Sequence, residues 1–317
     1  MPELTDKIRE VARSLLRQQK VDLIIGFERG TMPLRSAPCF VRREEDVDRL
    51  IWDSFCENNL AKYLVKRAER VAIVGKGCDV RAVVELIKEN QISREQVFII
   101  GVPCQGMVDR RRVEAKLDGR EILEVRETGG ELALKGDGFS EIVNRDEFLY
   151  PCCKSCTHRN PVISDVLVAD AAAELDCDSH VDVAEFEARS AGERGEYLSR
   201  EFSKCVRCYA CRNACPLCYC QECFVDSSWP QWVGKTTNAS DVVVFHIMRA
   251  FHLAGRCVDC GACERACPMG VDIRRLNRKL VKDVKARFDY EAGLSLEQAA
   301  PLSTFRPDDP EEFMLNP

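Results

Sequence analysis

The stretch CVRCYACRNACP, residues 205–216, recurs 52 residues later as CVDCGACERACP, residues 257–268. Each reads C-x2-C-x2-C-x3-C-P. Three thiols at two-residue gaps lie on one tight loop and face one inorganic core. The fourth points away, and the proline fixes the direction in which the chain leaves. Two such runs exchange their fourth cysteines. The spacing therefore predicts two 4Fe–4S sites, one on Cys205, Cys208, Cys211 and Cys267 and one on Cys257, Cys260, Cys263 and Cys215. The alternative is a pair of zinc sites, but a zinc ribbon uses two C-x2-C pairs per ion and has no need of a third step and a C-P.

The rest of the sequence suits a reduced, soluble setting. There are 19 cysteines, an odd number that excludes complete internal pairing. No apolar run reaches the length of a membrane span, and the charged amphipathic opening, MPELTDKIREVARSLLRQQ, lacks the apolar core of a secretory signal. A cytoplasmic location is expected, where thiols stay reduced and clustered cysteines mean metal. A net charge of −6 gives no basic patch for nucleic acid. With 317 residues, 45% of them apolar, the chain has material for two domains, or for one domain with a module appended.

Between Cys215 and Cys257 the stretch DVVVFHIMRAFHLAG, residues 241–255, reads as a helix capped by Asp241 or Ser240 and ended by Gly255. The segment FHLAGRCVDCGACERACPMGVDI resembles the α-helical ferredoxins of fumarate reductase iron–sulfur subunits and of small heterodisulfide reductase subunits. That resemblance implies a mainly α-helical dicluster ferredoxin domain over residues 205–288. His246 and His252 read as packing or surface residues. The run CPLCYCQEC adds Cys218, Cys220 and Cys223. Two readings stand: three ligands of a further cluster with a distant partner such as Cys177, or reduced thiols packed as small hydrophobes. Cys177 by itself reads as an incidental thiol.

The N-terminal half alternates strands and helices. VAIVGKGCDVRAVVELIKEN, residues 71–90, reads strand, glycine turn, helix, with Asp79 as a cap; residues 97–117 repeat the plan around Pro103 and Cys104, and VDLIIGFERG, residues 21–30, is an earlier strand. A short parallel sheet in an α/β domain follows. Sites in such sheets form beyond the carboxyl ends of the strands, where Cys78 and Cys104 stand. Residues 151–156, PCCKSC, add another C-x2-C at Cys153 and Cys156, with Cys152 as a substitute for Cys153. The set Cys78, Cys104, Cys153 and Cys156 predicts a third 4Fe–4S cluster, against a zinc site on the same residues or a redox dithiol at Cys152 and Cys153.

The motifs GKGCDVRAV, GVPCQG and CCKSCTHRNPVISDVLVAD, with VDLIIGFERGTMPLRSAPCFV and ENNLAKYL, resemble the beta subunits of deazaflavin-reducing hydrogenase and of related formate dehydrogenases. The resemblance covers roughly residues 20–170. It implies FAD and a 4Fe–4S cluster, with Cys78, Cys104, Cys153 and Cys156 as cluster ligands. It also implies that Gly75, Lys76, Gly77 and Asp79 form a turn facing flavin phosphate; a tight strand–helix turn is the equal alternative.

The expected organisation is an α/β domain over 1–170, a polar connector over 171–204, the ferredoxin domain over 205–288 and a tail over 289–317 that orders against a partner. Within it, the basic helix RRLNRKLVKDVKARF, residues 274–288, reads as a solvated face or as a complement to an acidic partner. The expected function is a relay of three clusters, or four, in a cytosolic oxidoreductase, exchanging single electrons with other subunits of a heterodisulfide-reductase-like, hydrogenase or formate dehydrogenase complex. The alternatives are an FAD enzyme acting on a deazaflavin or nicotinamide, and a metal-stabilised scaffold or regulatory protein.

Overall fold

The computed structural model describes residues 2–301. The opening residues form α1 (Pro2–Arg17), which buries Ile8, Ala12 and Leu15 along one stripe. β1 (Leu23–Arg29) and β2 (Ser36–Val41) follow as an antiparallel pair. β3 (Val71–Gly75) with α2 (Gly77–Lys88), then β4 (Val97–Gly101) with α3 (Arg110–Lys116), are the repeated strand–turn–helix units that the sequence predicts. Next come β5 (Ile122–Thr128), β6 (Glu131–Gly136), β7 (Phe139–Asn144), α4 (Pro151–Lys154) and the two-residue β8 (Val166–Leu167).

The main sheet has the order β2-β1-β3-β4-β8, and every pairing except β1 with β2 is parallel. Its central strands are continuous apolar runs, LIIG, VAIV and VFII. Strands covered on both faces require this, and β3 is buried throughout.

The antiparallel meander β5-β6-β7 was not anticipated from sequence. It turns between β5 and β6 at Gly129 and Gly130, both in the left-handed region (φ 61° and 86°) with open space around them. Leu132, Leu134 and Val143 pack with Val113, Leu117 and Phe148 into a small core of their own. The excursion closes at its base: Asp109 N–H donates to Phe148 O at 2.8 Å and Tyr150 N–H to Met107 O at 3.0 Å. The chain thus leaves near residue 107 and returns beside it at residue 150.

The remainder is helical: α5 (Val181–Glu187), α6 (Ala191–Ser203), α7 (Ala210–Ala214), α8 (Ala239–His252), α9 (Ala262–Arg265) and α10 (Ile273–Phe288). Three expectations are corrected here. α8 starts earlier than expected, with Asn238 at its N-cap. The Asp241 carboxylate instead accepts from Thr236 N–H and Oγ1 (3.1 and 2.7 Å). α10 is no solvated face: Arg274 and Arg278 are buried and both pair with Asp259 (2.6 to 2.9 Å). The first part of the supposed tail docks on its own chain. Tyr290 and Ala292 are buried, Arg81 Nη2 donates to Ala292 O at 2.7 Å, and Gly293 N–H donates to Glu85 Oε1 at 2.7 Å. The rest of that tail, residues 302–317, lies outside the described residues.

Candidate functional site

β3 and β4 run in register, with Gly75 opposite Gly101. Cys78 and Cys104 each follow their glycine by three residues, so parallel pairing delivers both thiols to one point beyond the sheet edge. Cys104 N–H donates to Arg159 O at 2.9 Å, which holds that arm in place. The meander supplies the remaining thiols. Its return at Tyr150 starts α4 with Pro151 at the first position, where a proline fits without loss. Cys152, Cys153 and Cys156 thereby join Cys78 and Cys104 around one cavity.

Burial pushes the thiols of Cys78 and Cys104 up, and that of Cys156 up to about 11. Cys152 goes the other way, to about 6. The neighbouring Cys153 thiol, 3.9 Å away, is the main cause, and the Arg265 guanidinium (Nη1 to Sγ 3.4 Å) adds to it. Cys152 also touches the second cysteine run: a Cβ on Gly261 would stand 2.6 Å from its sulfur. Five thiols of the N-terminal half, with Cys260 of the second run as a sixth, therefore line the cavity where four were expected, and Arg265 engages Cys152.

The two C-terminal runs repeat in backbone as well as in sequence. Arg207 and Tyr209 have φ of 54° and 60°; their counterparts 52 residues on, Asp259 and Gly261, have 51° and 70°. These left-handed residues, rare for side chains other than glycine, fold each loop back on itself. Cys205, Cys208, Cys211 and Cys267 line one cavity, together with Phe245 and His246. Cys215, Cys257, Cys260 and Cys263 line another, with Arg249 and Asn277. Each cavity draws three thiols from one run and the fourth from the other. Among the described residues no three His, Cys, Asp or Glu side chains close on one point as ligands of a single ion do. All nineteen cysteines are free thiols.

Two of the cavities adjoin. Val258, Asp259 and Cys260 line both the N-terminal cavity and the one on Cys215, Cys257, Cys260 and Cys263. Arg265 bridges the seam, donating to Cys260 O and to Glu57 O, both at 2.7 Å. At the far end Cys208 is exposed, beside Val206 (51% exposed) and Met269 (45%).

Other expected site residues are placed differently. Lys76 does not face outward. Its ammonium is buried, donates to Asp79 Oδ2 (2.8 Å) and Asn58 O (2.7 Å), and stands over the Phe27 ring. Burial alone would lower its pKa, but Asp79 overrides this and holds it above the usual lysine range. Asp79 also accepts from the Lys76 backbone N–H at 3.1 Å, the cap expected of it. The turn itself is covered, since a Cβ on Gly77 would meet His158 O at 2.3 Å and Asn160 O at 3.0 Å. Gly75, Lys76, Gly77 and Asp79 therefore do not fit a flavin phosphate. They form the tight strand–helix turn, locked by a buried ion pair.

Cys218, Cys220 and Cys223 line a wider cavity with Lys62, Arg212 and Arg256, which shares Leu217, Arg249 and Leu253 with the cavity on Cys215, Cys257, Cys260 and Cys263; the exposed Cys177 is not part of its lining. His252 is exposed, whereas His246 is buried, stacked on Phe202 with centroids 4.8 Å apart, and pushed down to about 4 by burial. Arg249, Arg265 and Asn277, whose Nδ2 lies 3.7 Å from Cys263 Sγ, were missed. For Arg265 a signal existed: the first run has Asn213 where the second has Arg265, so the repeat breaks at that position.

Residues 68–190 match the family model for the C terminus of the coenzyme F420 hydrogenase/dehydrogenase beta subunit. The chain is 24% identical to the F420-dependent formate dehydrogenase subunit beta of Methanocaldococcus jannaschii, over 88% of this chain and 89% of that one. It is 23% identical to F420-dependent formate dehydrogenase 1 subunit beta of Methanococcus maripaludis, over 89% of each. Among solved structures, the F420-reducing NiFe hydrogenase complex from Methanosarcina barkeri has a chain with TM-score 0.40 and 16% identity, over 52% of this chain and 65% of that one. Over residues 68–190, and more weakly over most of its length, the chain is thus similar to beta subunits of coenzyme F420-dependent hydrogenases and dehydrogenases.

Proposed function

We propose that this chain is an iron–sulfur electron-transfer subunit of a hydrogenase- or formate-dehydrogenase-like complex, with three 4Fe–4S clusters in a row. The carrying observation is three thiol-lined cavities: the first two share Cys260 in their wall, and the two C-terminal ones exchange the fourth cysteine of each run. The donor set fits. Sulfur surrounds each cavity, burial keeps most of these thiols protonated, and coordination to iron is what ionises such thiols. A bound cluster supplies a one-electron couple.

The lining residues support one order for the row. Cys78, Cys104 and Cys156, with Cys153 or Cys152, hold the first cluster at the sheet edge; Cys257, Cys260, Cys263 and Cys215 hold the middle one; Cys205, Cys208, Cys211 and Cys267 hold the last. Arg265 ties the first two together through Cys152 and Cys260. The exposed Cys208, rimmed by Val206 and Met269, supports the last as the point of exchange with a partner protein. The relatives are named as beta subunits of F420-dependent formate dehydrogenases, which supports partners of that kind. Among the described residues no helix is long and apolar enough to cross a membrane. The turn expected to hold a flavin phosphate is closed over by His158 and Asn160.

Anaerobic isolation with an iron count tests the reading. About twelve iron atoms per chain are expected, four for each cubane. About eight would remove the sheet-edge cluster, about sixteen would add one at Cys218, Cys220 and Cys223, and zinc with little iron would overturn the relay in favour of a metal-stabilised scaffold.

A further inference from the structure

We infer that Arg249 is the fixed counter-charge of the cluster held by Cys215, Cys257, Cys260 and Cys263, and that it raises that cluster's midpoint potential; the inference rests on the iron–sulfur reading above. Arg249 projects from α8 and is only 5% exposed. Its Nη2 donates to Cys211 O at 3.0 Å. Its Nε and Nη1 are buried with no hydrogen-bond partner among the described residues. It stands in none of the ion pairs found there, in contrast to the similarly buried Arg274 and Arg278, both held by Asp259.

A guanidinium does not shed its charge, and a buried charge without a counter-ion is strongly destabilising. What surrounds this one is sulfur: Arg249 lines the cavity of Cys215, Cys257, Cys260 and Cys263 and also that of Cys218, Cys220 and Cys223. Protonated thiols carry no charge to offset it. A cubane bound by four thiolates is anionic, and it gains one more negative charge on reduction. A cation with two free N–H groups in the cavity wall stabilises the reduced form more than the oxidised one. One turn earlier on the same helix His246 faces the other run's cavity, where the cation comes from the loop itself: Arg207 is buried there, also with an unpartnered Nε. The charge that α8 itself supplies therefore goes to the middle cluster.

The test is an EPR-monitored redox titration of the full chain, isolated anaerobically, as wild type, Arg249→Gln and Arg249→Lys, with iron counted in each. Arg249→Gln is expected to keep its iron and to lower the potential of one cluster while the other signals stay in place. At fixed solution potential the reduced-to-oxidised ratio falls about tenfold, or about 59 mV for a one-electron couple. Arg249→Lys, which keeps the charge and loses the fork, falls by less. An unchanged potential in Arg249→Gln with full iron overturns the inference and leaves the relay standing. Should Arg249→Gln lose iron, Arg249→Lys decides: iron retained along with the charge supports the inference, and iron lost despite the charge overturns it. A wild-type protein without reducible clusters defeats the relay itself.

Discussion

The sheet-edge cavity and the paired C-terminal cavities surround themselves with the same thiols by opposite means. At the sheet edge, Cys78, Cys104 and Cys156 are far apart in sequence and meet because strand register and a closed meander bring them there. In the C-terminal pair each loop presents three thiols within seven residues, using two left-handed residues, and imports one from its twin. The first arrangement depends on the fold; the second is mostly local and needs the fold only to hold the two loops together. Damage to the scaffold should therefore reach the sheet-edge site first.

The largest expected effects are on iron content. Cys263→Ser should remove one cluster's iron, about four atoms per chain, and Cys104→Ser a different four. Iron counts and EPR of the two variants check this. If Cys104→Ser also abolishes the C-terminal signals, the two regions are not separate binding units.

Asp79→Ala comes next. It strands the buried Lys76 ammonium with only Asn58 O and the Phe27 ring, and should cost about 3–5 kcal/mol. Denaturant titration of the loaded protein measures the loss, and on the comparison above sheet-edge iron should be lost ahead of C-terminal iron. Equal loss from all sites would break the comparison.

Gly261→Ala tests the seam. The new methyl would enter contact distance of Cys152 Sγ at a φ of 70°, and about 1–3 kcal/mol of destabilisation is expected. Tyr209, at the equivalent position of the first run, already carries a side chain at a φ of 60°. Tyr209→Gly should then relieve backbone strain in the first run where Gly261→Ala adds it in the second, and opposite shifts in Tm are the check. The smallest effect is Ser54→Ala, which removes hydrogen bonds of 2.6 Å to Glu127 and 3.3 Å from Arg145 between the meander and the main body. About 1 kcal/mol is expected by the same denaturant titration.

What sequence made legible follows the same division. The C-terminal runs declare their partners because ligand spacing is a local property, and the exchange of Cys215 and Cys267 follows from it. The parallel sheet was readable from its apolar runs, and with it the meeting of Cys78 and Cys104. The meander was not, because its strands are half exposed and short, with polar residues on both faces. Sequence left the two readings of the GKG turn level, because it looks alike whether it cradles a phosphate or buries its own ion pair; Phe27 and Asn58, which take up the lysine, are distant in sequence. Arg274 and Arg278 were misread for a related reason: a basic helix face declares its charge but not the Asp259 waiting on another loop.

The glycine pair at residues 129 and 130 has a practical use. It lies at the free end of a hairpin whose base, not its tip, brings Cys152, Cys153 and Cys156 home. A peptide tag or fluorophore spliced in there would ride on a handle anchored by its own small core, so the protein can be fished out of its assembly, or watched within it, with every sulfur left where it stands.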